Sequence, residues 1–411
     1  MHIKPFKAIR PTRDKVSLIA ARSYETYTKA EREARLDNNP YSFLHILNPG
    51  YKYHKEITGT ARFELVRNRY QEFKEDGIFI EEEAPAYYIY KIVDRDEQEF
   101  VGLVAAASVA DYANNVIKKH EDTIALREEL FKNYLKIAGF NAEAVLLTHP
   151  DNNDLQNIYE QVMSARAEYE FTTTYRDTHY LWPVHDPTLL SKITLLFRNI
   201  DPVYIADGHH RSSSSYLLAE ELKKENHQHT GSESYNFFMS YLLPESQLRI
   251  DGFTRMVMDL NGLDSEGFLI ALDHYYKIEN RNAEYYEPTK PHHFCMYLDG
   301  RFYSLKLRKG HRNFENALEA LDAQILYTTI LKPLLNIKDL RSDTRISYGK
   351  GNNDMIRVKE QVDSGTYAVG FSMPPATITQ IKDIADADLK MPPKSTYIRP
   401  KLRSGVTIYE F

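Results

Sequence analysis

Five consecutive residues, Asp207, Gly208, His209, His210 and Arg211, set a carboxylate, two imidazoles and a guanidinium beside a glycine, and Ser212 and Ser213 follow directly. The arginine offers a fixed fork for phosphate oxygens. His209 and His210 can donate to phosphate or serve as acid and base, and Asp207 can hold a metal ion or orient one histidine. Upstream, Val203-Tyr204-Ile205-Ala206 is a short apolar run of strand character; downstream, Leu218, Ala219 and Leu222 mark one face of a helix entered by Ser215. Only a tight turn separates them. Gly208 supplies the backbone freedom for it, and Ser212 or Ser213 is the expected cap. The amides of Ser212 and Ser213 would then face outward at the positive end of the helix dipole, where phosphate or carboxylate is attracted. The competing reading is a plain turn in which Asp207 caps the helix. Zinc ligation by both histidines is disfavoured, because adjacent histidines point apart and no third ligand stands at a telling distance.

Other charged groups could join this site. Lys118, Lys119, His120 and Glu121 precede a helix and could bring a cation, a proton donor and a carboxylate. Near the end, Pro392-Pro393-Lys394-Ser395-Thr396 and Pro400-Lys401-Leu402-Arg403-Ser404 form a basic, proline-stiffened segment that could fold back over the site. Tyr348-Gly349-Lys350-Gly351-Asn352 lacks the strand and helix frame of a nucleotide loop and reads as a turn, and no Gly-x-x-x-x-Gly-Lys-Ser/Thr run exists.

The elements that must position these groups alternate in type. Tyr87 to Val93 and Phe100 to Ala107 read as a hairpin, as do Phe171 to Tyr175 and His179 to Val184. Ile124 to Ala138 is an amphipathic helix stopped by Gly139, and Asp186-Pro187 opens another. A boundary near Pro244 divides the chain into residues 1–250 and 251–411, the second an α+β unit with the strand pair Phe294 to Leu298 and Phe302 to Leu307. At 411 residues and 42% hydrophobic composition the chain can bury a large core. A single cysteine, Cys295, allows no internal disulfide and suits a reducing cytoplasm. The net charge of -6 carries no clustered basic face, so no nucleic-acid partner is expected. No apolar run approaches the roughly 20 residues of a membrane-spanning helix, so no membrane partner is expected either.

A strand ending in Gly-x-x-Arg and entering a helix resembles the phosphate-binding box of the ParB and sulfiredoxin superfamily. The form Asp207-Gly208-His209-His210-Arg211 is similar to that of the free-serine kinases of that superfamily and of the bacterial family called domain of unknown function 1015. Resemblance to the latter extends over Ile3-Lys4-Pro5-Phe6 with Arg10-Pro11, Asn39-Pro40-Tyr41-Ser42-Phe43-Leu44-His45, Lys119-His120-Glu121-Asp122-Thr123, Leu181-Trp182-Pro183-Val184 and Met391 to Ser404. It implies an α+β fold with a ParB/sulfiredoxin-like core carrying insertions, in which the box binds nucleotide phosphates. The sulfiredoxin branch needs a cysteine after the glycine, where this chain has His209, and the ParB branch works on DNA, so the kinase branch fits best. One departure is that Arg22-Ser23-Tyr24-Glu25 stands where the family usually has Pro-Pro-Tyr-Asp.

The expected function is a nucleotide-dependent, magnesium-assisted phosphotransferase acting on a hydroxyl of a small metabolite, a free amino acid such as serine being the favoured class. Asp207 would bind magnesium, His209 and His210 would offset charge on the transferred group, and Glu25 or Glu121 would take the acceptor's proton. Gly208, Arg211, Ser212, Ser213, Lys118, His120, Lys394, Ser395, Lys401 and Arg403 would surround ATP or ADP. The alternatives are a nucleotide-binding regulatory module without turnover and a metal-dependent phosphohydrolase.

Overall fold

A computed structural model describes residues 1–350 and 354–411 as a mixed α+β protein of two compact units. The first comprises Met1–Lys119, Thr123–Leu248 and Pro400–Phe411; the second comprises His120–Asp122 and Arg249–Arg399.

The first unit is built on one sheet whose strands are β1 (Tyr87–Val93), β2 (Glu99–Ser108), β3 (Ile117–Lys118), β4 (Val145–His149), β5 (Tyr169–Thr172), β6 (Thr178–Val184), β7 (Val203–Asp207) and β8 (Phe237–Pro244). They run in the order β3-β7-β4-β8-β2-β1-β6-β5, and Ile3–Lys4 adds a further short strand against β2. The order follows from burial. β2 and β8 are apolar on both faces and take the middle, whereas β5 alternates and takes an edge. The strand that leads into the turn at Gly208 lies between β3, which it meets in parallel, and β4, which it meets antiparallel with a bulge between Ile205 and Asp207. A bulge beside the strand's last residue re-aims that residue's side chain.

Four helices of the first unit have ends set by identifiable residues. α1 (Lys29–Asn38) starts with a capping box, Thr28 accepting from the Glu31 amide while Glu31 reaches back. α2 (Ala125–Ala138) ends where Gly139 turns left-handed at φ +79°. α3 (Pro187–Arg198) opens with the Asp186 carboxylate on the Leu189 amide. α4 (His209–Glu225) follows β7 with only Gly208 between them. Lys132 and Lys136 of α2 pair with Glu221 of α4, holding the two helices side by side.

The second unit has a six-stranded antiparallel sheet, whose strands include β9 (Phe253–Val257), β10 (His293–Leu298), β11 (Arg301–Leu307) and β12 (Ile346–Lys350). The turn expected at 348–352 is therefore corrected in part: Tyr348 and Gly349 are strand residues paired with Arg255 and Thr254, while Gly351 and Asn352 lie outside the described residues. A second short pairing joins Arg249–Asp251 to Tyr397–Arg399. Among the described residues no helix is long and apolar enough to cross a membrane.

Candidate functional site

β7 delivers Asp207 to the edge of a turn that only glycine makes comfortably. Gly208 stands at φ +105°, and a Cβ there would press on the Arg211 guanidinium at 3.1 Å. Gly208 is also the helix cap, so α4 begins at His209. This corrects the expectation that Ser212 or Ser213 caps the helix. The Ser212 amide donates to the Gly208 carbonyl at 3.0 Å and is already inside the helix. The amides at the helix entrance are those of His209, His210 and Arg211, which occupy its first turn.

The serines have a different task. Ser212 Oγ donates to the carbonyls of Gly208 and His209, Ser214 Oγ to those of His210 and Glu128, and Ser215 Oγ to that of Arg211. Ser213 Oγ donates to the Glu128 carboxylate, which also accepts from Thr123. All four are buried, so their small size lets α2 approach α4 closely. Ser212 and Ser213 are thus placed in helix packing, not at the mouth of the turn.

Asp207 carries a cation on each oxygen. Lys401 Nζ donates to Oδ1 at 2.8 Å, and Arg211 Nη2 donates to Oδ2 at 2.8 Å. Burial alone would raise this carboxyl's pKa, but Lys401 and Arg211 outweigh it and hold it at about 2, so it is ionised throughout the neutral range. The remaining reach of Arg211 goes to the Ala144 carbonyl, with Glu143 at 4.0 Å. Magnesium needs open carboxylate oxygens in near-ideal octahedral geometry. An Asp207 already spanned by two cations does not fit that demand, and no step is assigned to a metal on it.

Two residues beyond Lys401, the buried Arg403 donates to the Asp177 carboxylate and approaches His179 Nε2 at 3.4 Å. His179 Nδ1 lies 3.0 Å from Tyr90 Oη, and its ring stacks on Phe171. Burial, reinforced by Arg403, lowers the His179 pKa to about 3 and keeps it neutral. Ser404 Oγ donates to Glu143 at 2.9 Å, so Ser404 and Arg211 converge on one carboxylate.

The first unit therefore brings together Asp207, Gly208, His209, His210, Arg211 and Lys401, with Arg403 on the same segment as Lys401. Lys118 sits on β3, paired with Tyr204 of β7. Glu25 lies on an exposed turn, Tyr24–Thr26, of the same unit. His120, Glu121, Lys394 and Ser395 belong to the second unit, where the His120 carbonyl accepts from the Met391 amide, Arg255 donates to the Lys394 carbonyl and Ser395 Oγ donates to Pro392. Glu128, Glu143, Asp177 and His179 were not singled out by sequence reasoning. Of these only Asp177 carried a signal, its place in the turn between β5 and β6.

A family model described as "Protein of unknown function (DUF1015)" matches residues 3–324. No curated protein matches the chain. Among solved structures, a free serine kinase in complex with AMP aligns at 12% identity and TM-score 0.33, over 75% of this chain and 90% of that one. SbnI with a C-terminal truncation, from Staphylococcus aureus, aligns at 12% identity and TM-score 0.38, over 74% and 85%. A conserved hypothetical protein from Pyrococcus furiosus aligns at 11% identity and TM-score 0.33, over 74% and 94%.

Proposed function

The chain belongs to the DUF1015 family, and from that membership we propose that the turn at Gly208 holds the phosphates of a nucleotide and that the protein transfers a phosphoryl group to a hydroxyl of a small metabolite. The observation that carries this reading is the convergence of Lys401, Arg211 and the entrance of the 17-residue helix α4 at one carboxylate, Asp207. A helix entrance offers amide donors and the positive end of a dipole, and two cations beside it add charge where phosphate oxygens would rest. Phosphoryl transfer asks mostly for positioning and charge stabilisation, which such a set supplies.

In this mechanism Asp207 is a positioning residue. It aims Lys401 and Arg211 at the turn. When phosphate enters, either cation can share its donors between Asp207 and a phosphate oxygen. His209 and His210, in the first turn of α4, offset charge on the transferred group. Glu25, in the same unit, is the base assigned to the acceptor hydroxyl. A free amino acid such as serine is the first acceptor class to try, with ATP or ADP as the nucleotide.

Calorimetric titration of the full chain with ATP, ADP, CTP and GTP, followed by an assay of ADP formation with serine and other hydroxyl acceptors, tests the proposal. Saturable nucleotide binding that Lys401→Ala weakens, with acceptor-dependent turnover that Glu25→Gln removes, is the expected result. Absence of binding to every nucleotide ends the reading.

A further inference from the structure

Three arginines surround one phenol ring in the first unit. The guanidinium carbons of Arg22, Arg35 and Arg403 lie 4.6, 5.3 and 5.4 Å from the centroid of Tyr175, at the tip between β5 and β6. Arg35 donates to Tyr175 Oη at 3.1 Å. Beside them Arg32 and Arg62 cover Tyr24 at 4.4 and 5.1 Å, and Arg35 also lies 5.2 Å from the buried Tyr27. Five guanidiniums are thus packed on three tyrosines.

Their negative partners are few. Arg403 has Asp177. Among the described residues Arg22, Arg32, Arg35 and Arg62 make no ion pair with a carboxylate; Arg32 donates to the Tyr27 carbonyl, Arg62 to the Leu47 carbonyl and Arg35 to Thr174 and Tyr175. Glu31 lies near enough to be influenced by Arg22 and Arg35, but it forms no ion pair with either and its Oε2 accepts from the Thr28 amide and hydroxyl. The phenol oxygen takes the donors instead: Arg22 and Arg35 pull the Tyr175 pKa down against the burial that would raise it. Like charges gathered on shared rings repel, and an anion bound among them would offset that repulsion. Arg22, Arg32, Arg35, Arg62 and Tyr175 are half-buried, whereas Arg403 is buried beneath them.

The cluster is continuous with the turn at Gly208. Arg403 is two residues from Lys401, which holds Asp207. Ser404 pairs its backbone with Ala21, the neighbour of Arg22, while its hydroxyl meets the Glu143 carboxylate that Arg211 approaches.

We propose that Arg22, Arg35 and Arg403 around Tyr175 form a second anion site, which takes the phosphate or carboxylate groups of a small ligand bearing at least two negative charges. Resting on the phosphotransferase reading, that ligand is the acceptor, and this site favours an acidic or phosphorylated metabolite over serine itself.

The full chain titrated with pyrophosphate, inorganic phosphate and citrate, each with and without saturating ADP, tests the site. The expected result is saturable, salt-sensitive binding that the double variant Arg22→Gln/Arg35→Gln weakens by about tenfold or more, with ATP affinity changed by less than about threefold. Tighter pyrophosphate identifies a phosphorylated ligand, and tighter citrate a polycarboxylate. Arg22→Gln alone, at a half-buried position, serves if the double variant does not fold. Equal affinity in wild type and either folded variant overturns the site, as does failure of all three anions to bind the wild type. Wild type that binds pyrophosphate in an Arg22-dependent way but no nucleotide keeps this site and removes the phosphotransferase reading; the reverse pattern removes only this site.

Discussion

Lys401 Nζ and Asp207 Oδ1 lie 2.8 Å apart across 194 residues of sequence. The pair fastens the C-terminal segment to the turn that opens α4, and it leaves the ammonium beside the helix entrance. Both side chains are more than a third exposed, so the pair itself contributes at most about 1 kcal/mol to stability. Its value is placement. Replacing Lys401 by Ala is expected to leave the unfolding midpoint nearly unchanged and to weaken ATP binding by roughly 1.5–3 kcal/mol, the worth of a charge-assisted bond to phosphate. Calorimetry on the variant measures this, and unchanged affinity removes Lys401 from the phosphate site.

The serine run gives the opposite expectation. Ser213→Ala takes a donor from the Glu128 carboxylate between α2 and α4, and a carboxylate that loses a buried partner costs about 1–3 kcal/mol. Nucleotide affinity is expected to stay unchanged, because the Ser213 amide lies inside the helix. Urea unfolding and nucleotide titration of one variant separate the two effects.

These two residues mark how far the sequence could be read. The α+β class, the amphipathic helix ended by Gly139 and the helix opened by Asp186-Pro187 were legible because periodicity, glycine and proline act within one element. The start of α4 was not. Four serines look like cap residues, but the left-handed turn at Gly208 begins the helix first and carries the serines into its buried face. Lys401 was legible as part of a basic segment, yet nothing local states that its partner is Asp207. Nothing local states that Arg22 and Arg35 meet at Tyr175, because that meeting depends on a hairpin 140 residues from Arg35.

Acid should loosen the hairpin through His179. In the unfolded chain this imidazole takes a proton near its ordinary 6.5, whereas burial and Arg403 delay protonation in the folded protein to about 3. The unfolded state therefore binds more protons between those values, and stability falls as pH drops through that window. At pH 5 the loss from this group is about 2 kcal/mol relative to neutral pH. His179→Gln removes the titration, so the stability difference between variant and wild type should shift in the variant's favour from pH 7 to pH 5 in urea unfolding. A constant difference would place the protonation elsewhere.

In the second unit the sign reverses at Asp322. Burial pushes its carboxyl up to about 7, only partly opposed by the His292 amide, which donates to Oδ1 at 2.7 Å. The unfolded chain releases this proton near the usual carboxylate range while the folded protein keeps it, so stability declines as pH rises from about 4 towards 7 and then levels. An amide oxygen can accept the same bond from His292, so Asp322→Asn keeps the geometry and discards the charge. The variant should match wild type near pH 4 and exceed it at pH 7 to 8 by about 4 kcal/mol. Denaturant unfolding at both pH values measures the difference directly. A variant equally destabilised at both would mean that the ionised carboxylate is itself a structural partner, and that burial is not what governs Asp322.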